Sequence, residues 1–333
     1  MTAIVWSANG EQVAVCSAAG EIQCLNVITQ HLVQVQRASG QSVDTLDFSH
    51  DSQFLAAGGQ DGSLYIWQMT SATPQLLTRL PHSTWMEHLL WHPHRLELAF
   101  SLGRYAQIWD AQTQQVSTTL PFASSTVLDL AWHPQRDYLA VAGDQSVKIW
   151  NLEDKDADPD VRELPTASIR VAWSADGNYL ASGNLDRSLV VWPWDLPFPW
   201  RMTGFPGKVR QLAWSTVPVG TAPLLAAAST TGILTWQKQE QGDQDWTAQV
   251  LDWHQQQVNA IAFQPGTALL ASASADGYIC LWQQGHKRVQ SCKGSASGLS
   301  CLAWQPNGST LAVGDQRGEW QLWSPSQRGQ GFS

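Results

Sequence analysis

Charge is what this 333-residue sequence has least of: only 14% of its residues are Asp, Glu, Lys or Arg. That is too few for a disordered polyelectrolyte, and the 43% of hydrophobic residues is ample for a large folded core. Bases are the scarcer sign, 19 against 28 acids, which leaves a net charge of −9. Such a balance argues against a general nucleic-acid or anionic-membrane binder, which needs a basic surface. Cysteine is sparse as well. Cys16, Cys24, Cys280, Cys292 and Cys301 are odd in number and contain no Cys-x-x-Cys pair. They read as reduced thiols, small core hydrophobes of a cytoplasmic protein. No stretch reaches the roughly 20 apolar residues of a membrane span. The opening Met-Thr-Ala-Ile-Val-Trp-Ser has neither the basic nor the apolar region of a secretion signal. A nucleotide loop, a zincin motif and a nucleophile elbow are all missing too.

What the sequence has in excess is tryptophan, 19 residues, and they are periodic. An aromatic after a short apolar run recurs at Trp6, Phe48, Trp91, Trp132, Trp173, Trp214, Phe263 and Trp304, in steps of 42, 43, 41, 41, 41, 49 and 41. A second series runs Leu25, Trp67, Trp109, Trp150, Trp192, Trp236, Trp282 and Trp323, in steps of 42, 42, 41, 42, 44, 46 and 41. Two independent series holding one period mark an internal repeat. Within each unit a short apolar strand, a polar turn, a second strand, a Gly/Asp turn and an alternating third strand follow one another. A fourth alternating run follows in most units, as at 31–36, 75–80, 116–120 and 247–251. Short strands at even spacing, with turn residues between them and no helical period, predict an all-β protein.

The stretch 254–282 resembles a WD40 repeat. His254 stands nine residues before Phe263, Leu270-Ala271-Ser272 follows, and Asp276-Gly277 leads to Leu281-Trp282. Phe54 to Trp67, through Asp61-Gly62, matches nearly as well. The resemblance covers essentially the whole chain and implies a single WD40 β-propeller domain over 1–333. Eight blades fit the count of units, and seven is the alternative. It further implies a structural tetrad of His254, Ser272, Asp276 and Trp282, complete in that repeat alone. Propellers of this family usually close with an N-terminal strand completing the last blade. Here only Met1 and Thr2 precede the first strand, and no alternating run follows Trp323. The last blade is therefore expected to be three-stranded, with an open edge that would accept an added β-strand from a partner. Few lysines, many glutamines and the compact repeat array suggest a stand-alone, bacterial-type member.

Chemistry is harder to find. His82, His88, His92 and His94 look like a metal cluster on paper. However, His92 fills the same Trp-His-Pro turn as His133, where proline sets the turn and histidine tolerates solvent. No cofactor, metal or catalytic residue is expected. The expected function is a non-catalytic protein–protein interaction scaffold, the alternative being a propeller enzyme or small-ligand binder using the central channel. By family habit, the position four residues before each framework aromatic lines one rim of that channel, and it includes Asp44, Glu87 and Arg210. Trp85 approaches that face and Arg187 lies on a turn there. The opposite face is more idiosyncratic. It carries the acidic connection 153–160 with Asp154, Asp156 and Asp158. It also carries the Pro/aromatic connection 193–200 with Trp194, Asp195, Phe198 and Trp200, the expanded loop 215–223, and the connection 237–246 ending at Trp246. Long loops on a rigid scaffold are where partner-binding residues concentrate.

Overall fold

In the computed structural model, the described residues are 1–70, 73–154, 156–196, 198–239 and 246–324. They contain thirty-one strands and no helix. The strands form eight antiparallel sheets in simple up-and-down order, seven of four strands and the last of three. These are the eight propeller blades read from the tryptophan period, including the three-stranded eighth blade. The chain divides into two compact units, Met1–Trp132 with Asp137–Glu163, and His133–Arg136 with Leu164–Ser333.

Each blade is built on a middle strand that meets neighbouring sheets on both faces. It therefore reads as a buried run of small residues instead of alternating. Tyr179–Asn184 and Ala222–Ala228 are buried at every position. The outer strands alternate or are largely exposed, as at His31–Gln36 and Trp246–Leu251. The first-strand tryptophans do more than fill space. The indole N–H of Trp132 donates to the Leu90 carbonyl of the preceding blade (3.1 Å). Trp214 does the same to Ala172 (3.2 Å) and Trp304 to Ala262 (3.2 Å). An aromatic carrying a donor thus stitches consecutive blades through backbone carbonyls.

The residue after each framework aromatic performs a second repeated task. It reads Ser7, Ser49, His92, His133, Ser174, Ser215, Gln264 and Gln305, and all but Gln264 are buried. In the serine blades the hydroxyl oxygen accepts a backbone N–H of the second strand, from Gln12, Phe54 and Tyr179 at its first residue and from Leu224 at its third. In the histidine blades Nδ1 accepts two turn N–H groups, from His94 and Arg95 or from Gln135 and Arg136. His92 and His133 are each 2% exposed, so the expectation that these histidines tolerate solvent is corrected. Their rings lie edge-on against Trp132 and Trp173, one blade further along. The His133 Nε2–H donates to the Gly177 carbonyl (3.2 Å), and Gln264 donates likewise to Gly308 (2.7 Å). Gly177 is required there, since a Cβ would come within 2.5 Å of the His133 ring.

A second difference from the sequence reading concerns 215–223. The extra residues lengthen the first strand to Gln211–Val219, which pairs with Ala222–Ala228 around a Gly220-Thr221 turn and bulges between Trp214 and Pro218. Gly220 has φ 78°, the left-handed conformation a two-residue hairpin turn demands.

Candidate partner-binding surfaces

The connection 193–200 begins and ends in aromatic clusters of the second unit. At its start the Trp194 ring packs on Trp173 (centroids 5.3 Å apart) and on His133 (5.9 Å), with the Arg136 guanidinium over it at 5.7 Å. At its end Trp200 opens the outer strand Trp200–Met202 and packs with Tyr179 and Trp246. Tyr179 also stacks on Trp214, and the Lys238 ammonium sits 5.5 Å from both the Tyr179 and Trp200 rings. These are cation–π distances. Trp194, Trp200 and Trp246 are therefore half-buried and packed on their own unit. Between the two anchored ends the described side chains are exposed. Leu196 is 54% exposed and Phe198 80%, with Asp195 exposed beside them. Residue 197 lies outside the described residues, as do 240–245 of the 237–246 connection.

The other candidates are scattered. Asp154, Asp156 and Asp158 are exposed, and their carboxylates face solvent apart from Asp154, which accepts the Asp156 N–H (3.2 Å). Lys155 lies outside the described residues. In the first unit Trp85, 53% exposed, donates its indole N–H to Asp44 (2.8 Å), and Glu87 is exposed two residues on. The structure thus joins Trp85 and Asp44 directly. In the second unit Arg187 and Arg210 are exposed, and the Arg210 carbonyl accepts from Arg170 (3.0 Å).

The histidines of 82–94 do not converge. His88 pairs with Asp129 (3.2 Å), whereas the His92 Nε2–H donates to Asp137 (3.1 Å). Burial holds His92 down to about 4, well below the ordinary imidazole value. His82 packs against Phe100. Among the described residues no three His, Cys, Asp or Glu side chains come together as metal ligands. Nor is any helix there long and apolar enough to cross a membrane. Burial raises the Cys24 and Cys280 thiols to about 12, which leaves them unreactive.

In blade seven, four side chains make one hydrogen-bonded chain. The Trp282 indole donates to the Ser272 oxygen (2.9 Å), Ser272 bonds His254 Nε2 (2.9 Å), and His254 Nδ1 bonds the Asp276 carboxylate (3.1 Å). Burial lowers the His254 pKa and keeps the ring neutral. At Asp276 burial acts to raise the pKa, but the N–H groups of Gln255 and Tyr278 and the nearby imidazole outweigh it and hold the carboxyl below its usual range. Trp253 stacks edge-on against His254 and Tyr278 beneath the Arg288 guanidinium, so its ring is part of this scaffold.

Sequence comparison agrees with this geometry. Residues 22–68, 114–151, 162–193, 246–283 and 286–324 match the WD40 family, described as WD domain, G-beta repeat. A 77-residue stretch, 22% of the chain, is 34% identical to the Mus musculus protein Atg16l2, and it spans only 12% of that protein's length. Among solved structures, a chain in the crystal structure of a mitotic checkpoint complex superposes with a TM-score of 0.69. The two are 19% identical, and the match covers 84% of this chain and 86% of that one. The bacterial-type character suggested by composition is not borne out by these likenesses. With five matched segments over more than half its length, repeated indole stitches and a complete tetrad, the chain belongs to the WD40 family.

Proposed function

We propose that this protein is a non-catalytic interaction scaffold that holds protein partners in the cytoplasm, with the 193–200 connection as its principal contact. One observation carries the reading: Leu196 and Phe198 stand exposed between two ends whose tryptophans are already packed. Apolar side chains close to anchored residues lose less conformational freedom on binding, and exposed aromatics of this kind act as hot spots. The acidic balance favours proteins over nucleic acid or anionic membrane as partners. A fold of this type occurring inside a multi-protein checkpoint complex is in keeping with a scaffold role.

The test is capture by immobilised protein from a lysate of its own host, read by quantitative mass spectrometry. The double variant Leu196→Ala, Phe198→Ala should lose a defined set of captured proteins. Its melting temperature should move by no more than about 2 °C, as for exposed side chains. An unchanged captured set would refute the assignment of this connection.

A further inference from the structure

One end of blades five and six reverses the charge balance of the chain. Three segments meet there. The Leu185 N–H donates to the Ala167 carbonyl (3.1 Å), the Val209 N–H to the Asn184 carbonyl (3.3 Å), and the Arg170 Nε–H to the Arg210 carbonyl (3.0 Å). Residues 165–171, 184–188 and 203–211 are thereby gathered, and they hold four bases, Arg170, Arg187, Lys208 and Arg210, against one acid, Asp186. In the whole chain acids outnumber bases 28 to 19. That one acid is already neutralised, since its carboxylate accepts from Arg201 (2.6 Å) and from the Ser188 hydroxyl. Among the described residues no Asp or Glu comes within ion-pair distance of Arg187, Lys208 or Arg210.

The bases stand on a firm frame. Phe205 is buried against Trp236 (centroids 5.5 Å apart), and the fully buried Val209 has Lys208 and Arg210 on either side of it. Arg187 breaks the repeat. It takes the left-handed conformation, φ 64°, in the turn between second and third strands, where blades one, two, seven and eight have Gly20, Gly62, Gly277 and Gly318. Gln145, in the shorter turn of blade four, is the other side chain held in this way. An L side chain in that conformation is strained, so the turn favours glycine and the fold alone does not call for arginine. Strain of this kind belongs with use of the side chain. Two residues before it Leu185 is 44% exposed, which sets an apolar contact beside the charges.

We propose that this end of blades five and six binds an acidic segment of a partner protein. Arg187, Lys208 and Arg210 meet its negative groups, and Leu185 meets an apolar side chain between them. Arginine binds carboxylate and phosphate alike through paired N–H donors, so the negative groups are Asp and Glu side chains or phosphates carried on serine. Nucleic acids and anionic membranes spread their charge over a wider area than three displayed bases can match, in a chain whose net charge is −9. The proposal rests on the scaffold reading and specifies the chemistry of one partner.

The probe is the synthetic peptide Glu-Glu-Leu-Glu-Glu, added at low salt to the purified, isotope-labelled full chain and followed by amide NMR. A second peptide carries phosphoserine in place of glutamate, and a third carries glutamine. Saturable shifts with the first or second are expected at residues 185–188 and 207–211, with affinity falling about tenfold in about 0.5 M salt. The tighter of the two identifies carboxylate or phosphate as the preferred group. Arg187→Gly adopts the turn of the sister blades, so its melting temperature should hold or rise while binding weakens about threefold; adding Arg210→Gln should bring the loss to about tenfold. Absence of shifts at these residues with millimolar acidic peptide overturns the proposal, as does equal binding of the glutamine peptide. Tighter binding of a thymidylate oligomer or of phosphatidylserine vesicles overturns it in favour of nucleic acid or membrane. Self-association that Arg187→Gly abolishes overturns it in favour of a second copy. The purified system involves no lysate, so its failure leaves the capture test on Leu196 and Phe198 untouched, and the reverse also holds.

Discussion

His92 gives the sharpest quantitative test of how the blades are locked. Its ring is 2% exposed, Nδ1 accepts two turn N–H groups, and Nε2–H donates to Asp137. All three bonds suit the neutral imidazole. Burial, aided by the Arg95 charge and opposed by Asp137, takes its pKa from an ordinary 6.5 to about 4. As pH falls below 6.5 the unfolded chain binds a proton that the folded chain refuses, so stability declines with falling pH until about pH 4. Between pH 7 and pH 5 this one residue should remove about 2 kcal/mol. The control is internal to the protein. Blades seven and eight use glutamine in this slot, so His92→Gln keeps a hydrogen-bonding side chain and removes the titration. Urea unfolding at a series of pH values should show the natural protein losing about 2 kcal/mol more than His92→Gln over that interval. Parallel stability curves, or an imidazole titrating near 6.5 by NMR, would refute the reasoning.

Asp47 should behave in the opposite sense. Burial raises its carboxyl to about 7, against hydrogen bonds from the Trp91 and Phe48 N–H groups that favour the charged form. The folded state holds a proton that the unfolded state releases above about pH 3.8, so this contribution to stability is lost as pH rises toward 7. Asp47→Asn keeps an acceptor for the Trp91 N–H (2.7 Å) and should stabilise the protein at pH 8 but not at pH 4, again by urea unfolding. Trp194→Ala and Phe198→Ala should separate cleanly. The first deletes a ring packed on Trp173 and His133 and should cost about 3 kcal/mol. The second removes an exposed ring and should cost less than about 0.5 kcal/mol, measured in the same way.

Both blade number and the three-stranded eighth blade were legible because packing imposes them on every unit. A first-strand aromatic must fill the space between sheets, so Trp132, Trp214 and Trp304 recur in step. Among the described residues blade eight has three strands, in step with the missing alternation after Trp323. The buried histidines were misread because a Trp-His-Pro turn considered alone looks like surface. Their slot taken across all eight units held the signal, since Ser, His and Gln are the only residues in it. A position that is uniformly polar and uniformly able to hydrogen-bond, next to a core aromatic, marks a buried cap.

Which of the 193–200 side chains are packed and which exposed was not legible in the sequence, and the reason lies in where the strands stop. Trp194, Leu196, Phe198 and Trp200 all fall on even positions, so strand alternation would send all four side chains to one face. Strand Leu189–Pro193 ends before them and Trp200–Met202 begins after, so among the described residues no ladder holds Trp194, Leu196 and Phe198 to that parity, and Pro199 lacks a backbone donor. What then decides is contact with residues remote in sequence. Trp194 finds Trp173 and His133, Trp200 finds Tyr179 and Trp246, and Leu196 and Phe198 find no ring partner among the described residues. The tryptophans that first draw attention are thus the anchors, and the plainer pair between them is what a partner can reach. In a repeat this regular, a residue that keeps the period reports the fold, and one that breaks it without loss of packing reports a contact made outside the chain.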